Sequence, residues 1–369
     1  MQSVAVLFGG KSCENEISVL TGVFVLNLLD REKYTPLPVY LHTDGNTYYS
    51  EQMTNLDIFK KGDFSRTQRV FFENGRLYAF LPKKNRVKEI AKIDVALNCC
   101  HGGWGEGGGM AALMERNGIP FASPDIASSA VFMDKSLTKT VMRGLGVPTV
   151  DCIRANEKDY EKRGAFLLKS IAARLKYPVV VKPAHLGSSI GIALAQNEEE
   201  AKRAIENAFA LDDRVIIEKY LKDKRDVNCA AYLRNGEICV SEAEEAYGAG
   251  IYSFEDKYVN RETGVKSSGR RAVSGELREK IRAYTKTVYK RMNLKGIVRM
   301  DFLVHEDKAY LCEVNTVPGS LAYYLFCERI CEARTLFSEL IDEALETASA
   351  NGKQIPTTGI LKTVKWSRK

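Results

Sequence analysis

At 369 residues, with 45% hydrophobic and 27% charged side chains, the chain has the make-up of a soluble globular protein of two or three domains, at roughly 100–200 residues each. Its net charge of +7 is spread thinly, apart from Lys362, Lys365, Arg368 and Lys369 near the end, which excludes the dense basic stripe of a nucleic-acid binder. Nine cysteines without C-x-x-C spacing, no apolar run approaching about 18 residues and a start, MQSVAVLFGGKS, without a basic n-region exclude a disulfide framework, a membrane span and a secretory leader, so a reduced cytoplasmic protein is expected.

The chain opens on a buried strand, Val4 to Phe8, then a Gly9-Gly10 turn and a helix whose apolar face is expected at Ile17, Leu20, Phe24 and Leu28. This is half of a βαβ unit, but the dinucleotide fingerprint G-x-G-x-x-G is absent. Glu14 suits the N-terminal end of that helix, where negative charge is favoured. Thr35 to Leu41 gives a second strand, residues 42 to 90 read as a charged surface excursion over the sheet, and Ile93 to Cys100 gives a third strand. The glycine-dense run from His101 to Gly109 is either a loop whose backbone lies close to a ligand or a flexible lid. Ala111 to Phe121 completes a helix-turn-strand unit, with a first domain boundary near residue 130.

Lys135 follows Met133-Asp134 at a helix start, where a solvated charge is ordinary. Tyr177 to Pro183 is an apolar strand that carries Lys182, and a lysine beside such a run needs a partner or water. Directly after it, Gly187-Ser188-Ser189-Ile190-Gly191 makes a small-residue loop able to wrap a phosphate; it is not a P-loop. Asn197 to Phe209 reads as a helix and Val215 to Leu221 as a strand and hinge.

From about residue 226 the strands Val227 to Leu233 and Ile238 to Glu244 flank a clear turn, and Gly248 to Tyr258 is a polar loop with aromatics. An amphipathic helix (Leu277, Ile281, Tyr284, Val288) leads into a hairpin, Ile297 to Val304 and Ala309 to Val314 around His305-Glu306-Asp307-Lys308. Alternation puts Arg299 and Asp301 on one face, and on the second strand Glu313 and Asn315 on one face with Tyr310, Cys312 and Val314 on the other. Asp, Glu and Asn form an all-oxygen set that suits Mg²⁺. A neighbouring arginine would steady developing negative charge.

Taken in order, these segments resemble the D-alanine-D-alanine ligase family of the ATP-grasp superfamily, whose marks here are G-G-x-S-x-E at the start, H-G-x-x-G-E, M-D-K, the lysine before a glycine-serine loop and D-x(n)-E-x-N-T-x-P-G. The resemblance implies an α/β fold, α+β in the ATP-grasp part, with ATP between two antiparallel sheets. It implies three domains: residues 1–130 binding the first substrate, 131–225 as the central subdomain, and 226–369 as the C-terminal subdomain with a mobile ω-loop and the metal site. It implies Lys135, Lys182, Ser188, Ser189, Glu218, Lys219, Leu221, Asp226 and Lys257 for ATP, and Asp301, Glu313 and Asn315 for two Mg²⁺ ions, with Mn²⁺ as a substitute. Glu14, Ser188 and Tyr258 would form a hydrogen-bonded set, Arg299 and the Gly319 N–H would meet an oxyanion, and Glu14, His101, Tyr252, Tyr324 and Leu325 would face substrate.

The implied activity joins two D-alanines through an acyl phosphate, for peptidoglycan precursors, with ATP and D-alanine as partners and a homodimer as the assembly. Three departures from the family pattern stand out: Gly107 replaces an acid, Asp226 replaces a glutamate, and Tyr324 sits where a serine binds the acceptor carboxylate. Gly107 and Tyr324 motivate the alternative of another acceptor, such as D-serine or a different D-amino or hydroxy acid; a non-catalytic nucleotide-binding protein is the alternative from a different class.

Overall fold

A computed structural model describes residues 1–246, 272–350 and 358–362, and its strands form three sheets. The first has eight strands. Gln2–Gly9, Tyr34–Leu41, Val95–Asn98 and Phe121–Ala122 pair in parallel, and their apolar runs are buried on both sides, as parallel sheets require. The segment read as a surface excursion instead extends this sheet by four antiparallel strands, from Thr47–Tyr49 to Arg86–Lys92. Its charges belong to exposed faces; Val70, Phe72, Leu77 and Ala79 between them are core.

The helix Asn15–Leu28 buries Ile17, Val19, Val23 and Leu26, whereas Leu20 is 51% exposed. The face is rotated from the expected one because two partners share it, the sheet beneath and the helix Ala333–Ala350 beside it, with Phe24 edge-on to Phe337 at 6.0 Å. Gly22 lets the helix approach the first strand: a Cβ there would lie 2.3 Å from Phe8 Cγ. Gly22→Ala is therefore expected to cost about 1–3 kcal/mol by overpacking, measured as a lower urea midpoint at unchanged slope.

The second sheet is antiparallel: Ala193–Ala195, Val179–Pro183, Arg214–Lys219 and Cys152–Asn156. The helices Glu157–Arg174 and Glu198–Phe209 cover it and give it a core of its own. Asn197 caps the second helix by accepting from the Glu200 N–H at 3.0 Å, ahead of three glutamates that suit the positive end.

The third sheet, also antiparallel, is built on Glu237–Val240, Arg225–Arg234, Val298–His305 and Lys308–Asn315. The expected boundary near residue 130 falls inside the helix Ile126–Met133. Phe132, together with Met142 of the next helix, packs into the core of this third sheet. One further core runs without a break from the first sheet into the last part of the chain, joining Val19, Val23 and Leu97 to Val317, Leu336, Phe337 and Ile341. All nine cysteines are free thiols, and among the described residues no helix is long and apolar enough to cross a membrane.

Candidate active site

The hairpin closes on Glu306 and Asp307, both with positive φ (47° and 58°), the turn that matches the natural twist of paired strands. Its register shifts after Asp301, so that Asp301 faces Glu313 while Phe302 faces Leu311. Cys312 is the extra residue of a bulge, and bulges re-aim side chains. Strict alternation is thereby broken. Cys312 and Glu313 both reach the cleft that Asn315 also lines, while Leu311 and Val314 stay in the core.

Above this face the second sheet contributes Lys182, and between the two sheets lies one cleft. It brings together Glu14, Lys135, Lys182, Ser188, Ser189, Glu218, Lys219, Leu221, Asp226, Arg299, Asp301, Glu313, Asn315 and Tyr324, fourteen of the residues singled out from the sequence. Tyr252, Lys257 and Tyr258 lie outside the described residues. Three others are not on the cleft wall. Leu325 is core, and Gly319 begins the turn Gly319–Leu325. His101 is 4% exposed and fastened behind the wall. Its Nδ1 lies 2.6 Å from the Val317 carbonyl and its Nε2 2.8 Å from the Thr21 hydroxyl, which also accepts the Ser320 N–H at 3.0 Å. Burial holds the imidazole down at about 4, so at neutral pH Nδ1–H donates to Val317 and Nε2 accepts from Thr21.

Arg299 donates to Asp301 through Nε (2.7 Å) and Nη2 (2.8 Å) and reaches the Tyr324 hydroxyl with Nη1 (3.1 Å). Asp301 also accepts from Asn228 (2.7 Å) and Asn315 (3.1 Å). Asp301 and Glu313 are direct cross-strand partners, with Cβ atoms about 4.5–5.5 Å apart in such pairs. Three oxygen-bearing side chains on adjacent strands, with no nitrogen or sulfur ligand among them, fit a hard divalent cation.

On the other wall Lys182 Nζ lies 2.6 Å from Glu218 Oε2, and Lys139 Nζ lies 2.8 Å from Glu218 Oε1 and 2.9 Å from the Val150 carbonyl. Burial would raise the Glu218 carboxyl, but Lys182 and Lys139 outweigh it and hold the group at about 2. Two ammonium groups thus share one buried carboxylate, and of the three groups Lys182 and Glu218 line the cleft. Lys135 donates to the Leu186 carbonyl at 2.5 Å and lies 4.0 Å from Glu313.

The loop after Lys182 carries Ser188 and Ser189 at φ 52° and 61°. Its Ser188 hydroxyl donates to Glu14, which ties the first domain to the loop, and a Cβ on Gly187 would lie 2.5 Å from the Glu14 carboxylate. Glu106, the acid of the H-G-x-x-G-E mark, is a functional candidate to which the sequence reading assigned no role. It accepts from the Gly102 N–H (2.8 Å) and the Val317 N–H (3.2 Å), and burial, with Glu14 next in effect, lifts it to about 7. Lys139 and Asn228 were likewise missed; their partners are 79 and 73 residues away in sequence, and nothing local marks them.

Two antiparallel sheets closing on one cleft, with lysines and a serine loop on one wall and carboxylates with an arginine on the other, define an ATP-grasp protein. The family profile described as D-ala D-ala ligase N-terminus matches residues 3–124, and that described as D-ala D-ala ligase C-terminus matches residues 141–346. The D-alanine–D-alanine ligase of Thermosipho africanus (strain TCF52B) is 33% identical over 358 residues, 94% of this chain and 93% of that one. Among solved structures, the D-alanine-D-alanine ligase from Helicobacter pylori aligns with a TM-score of 0.77 at 27% identity, covering 93% of this chain and 98% of that one. The VanG D-Ala:D-Ser ligase from Enterococcus faecalis aligns with a TM-score of 0.73 at 25% identity, covering 94% and 99%. The chain belongs to the D-alanine–D-alanine ligase family.

Proposed function

We propose that this protein joins two D-alanines to D-alanyl-D-alanine at the expense of ATP, in the cytoplasm and as a homodimer, for peptidoglycan precursors. The observation that carries the reading is the convergence of Lys135, Lys182 and the Ser188-Ser189 loop with Arg299, Asp301, Glu313 and Asn315 on one cleft, with Glu14 at its end. In the first step a carboxylate oxygen of one D-alanine attacks the γ-phosphorus of ATP, and ADP leaves. In the second, the amine of the other attacks the acyl carbon of the acyl phosphate, and the tetrahedral oxyanion collapses with loss of phosphate and a proton.

The chain's own groups fit these steps. Val180, Ile192 and Leu303 line an apolar part of the cleft suited to the adenine, with Lys219, Leu221 and Asp226 beside it. Lys135, Lys182 and the serine loop offset phosphate charge. Glu14, held by Ser188, takes the ammonium of the first D-alanine, and Arg299 meets the oxyanion. Tyr324, bonded to Arg299, faces the acceptor. Lys257, Tyr252 and Tyr258 would complete the site from the ω-loop. Asp301, Glu313 and Asn315 would hold Mg²⁺, which supplies charge neutralisation on the transferring phosphoryl group.

The test is product identity. Incubated with ATP, Mg²⁺ and a panel of D-alanine, D-serine and D-lactate, the protein is expected to make D-alanyl-D-alanine and equimolar ADP, weighed by mass spectrometry. A mixed product in preference to the alanine dipeptide would move the acceptor assignment. ATP binding without turnover on any acid would remove the ligase reading.

A further inference from the structure

His185 lies between the two elements that carry the phosphate-handling groups, yet it does not line the cleft. Its backbone N–H donates to Asp212 Oδ2 at 2.7 Å and its Nδ1–H to Asp212 Oδ1 at 2.8 Å, while Nε2 lies 3.4 Å from Asp134 Oδ2. Asp134 caps the helix Lys135–Gly144, accepting from the Ser136 and Leu137 N–H groups at 2.7 and 3.0 Å, and also accepts from Arg214 at 2.8 Å. The neighbouring backbone is pinned the same way: the Lys135 N–H donates to the Ala184 carbonyl, and the Ala184 N–H to that of Arg214. Lys135 immediately follows Asp134, and the Gly187–Gly191 loop begins two residues after His185.

We propose that His185 is a positioning residue for nucleotide phosphate binding: its ring, protonated on both nitrogens, bridges Asp212 and Asp134 and so fixes the distance between Lys135 and the Gly187–Gly191 loop. The inference rests on the reading above, in which those two elements hold phosphate. The side chains of Asp134 and Asp212 are 3% and 5% exposed, so each carboxylate needs a partner.

His185, Asp212 and Asp213 also place ligand atoms within 4.8 Å of one another, the spacing of a metal set. Both ring nitrogens already face carboxylates, however, and Arg214 supplies a further positive charge. An imidazolium satisfies that arrangement, whereas a metal-bound imidazole would withdraw its N–H donor from one of the two carboxylates. The charged groups facing the ring are Asp134 from the helix cap and Asp212, Asp213 and Arg214 from the turn before the strand Arg214–Lys219; Lys135 points away, to Leu186 and Glu313.

The hydrogen bonds to Asp134 and then Asp212 raise the ring from 6.5 to about 9 against the opposing effect of burial. A raised cation is fully present below its unfolded value and is lost as pH climbs through the folded one. The bridge therefore holds across neutral pH and opens near 9.

The experiment combines ring titration with the pH dependence of ATP use, on the full-length protein. With four histidines in the chain, the His185 signal in a ¹³C-histidine NMR spectrum is assigned by its absence in His185→Gln. It is expected to titrate near 9, and kcat/KM for ATP is expected to fall on the alkaline side with the same midpoint. His185→Gln should raise KM for ATP about tenfold, the loss of one charge-assisted contact, with kcat little changed. His185→Arg, charged at every pH used, should keep KM near the wild-type value and lose the alkaline fall. A ring that titrates near its ordinary value, an unchanged KM in His185→Gln, or an alkaline fall that persists in His185→Arg overturns the proposal. If His185→Gln does not fold, the signal is assigned with His185→Arg, and the ring titration and that variant's profile decide. A wild type that makes no dipeptide removes the reading of the site while the ring still titrates as stated; a wild type that ligates with unshifted His185 behaviour removes this inference alone.

Discussion

Replacing Arg299 with methionine is expected to lower kcat by about 10²–10³, the cost of removing one donor aimed at a developing oxyanion. The guanidinium donates two hydrogen bonds to Asp301 and a third to Tyr324, so its plane is fixed before substrate arrives. Lysine restores the charge but not the fork, and a point charge cannot hold both carboxylate oxygens. Arg299→Lys should therefore recover only part of the loss. Steady-state ADP release measures kcat, and a urea titration of each variant separates lost chemistry from lost folding, since Asp301 would keep its Asn228 and Asn315 donors. Full activity in Arg299→Met would rule out its role at the oxyanion.

Replacing Glu218 with glutamine should leave two buried ammonium groups, Lys139 and Lys182, with an amide between them. Removing the charge at the centre of a buried set costs about 3–5 kcal/mol, and both lysines are scarcely exposed (1% and 10%). The pH dependence gives a second check. Glu218 titrates at about 2 in the folded chain against an ordinary 4.5, so its contribution is fully present above the ordinary value and is lost as pH falls toward 2. The stability gap between wild type and Glu218→Gln should be constant near neutrality and close below about pH 4.5. A gap that stays flat down to pH 3 would mean that the lysines do not depend on this carboxylate.

What could be read from the sequence was what local pattern controls. The hairpin was legible because its two runs alternate, and the observed strands, Val298–His305 and Lys308–Asn315, differ from the expected ones by a residue at each end. The bulge at Cys312 was not, since one additional residue shifts register without changing composition. The strands between residues 47 and 92 were missed because their exposed faces are heavily charged, and that dominates a short window more than Val70 or Leu77 does. The helix face at Leu20 was misplaced because spacing shows that a helix is amphipathic but not how many neighbours divide its surface. The burial of His101 was not legible either: it is set by Val317, 216 residues away. Lys139, Glu106 and His185 share that property, each being defined by a partner that only the folded chain supplies.

The core that passes unbroken from Val19 and Val23 to Leu336, Phe337 and Ile341 has a bearing on how such a chain can be divided. A fragment ending after the first sheet would leave the outer side of its opening helix facing water. A fragment beginning there would strand the closing helix in the same way. The opening and closing parts of the described chain thus finish each other, while the segment from Cys152 to Lys219, with its private interior, has the make-up of a piece that could be exchanged intact.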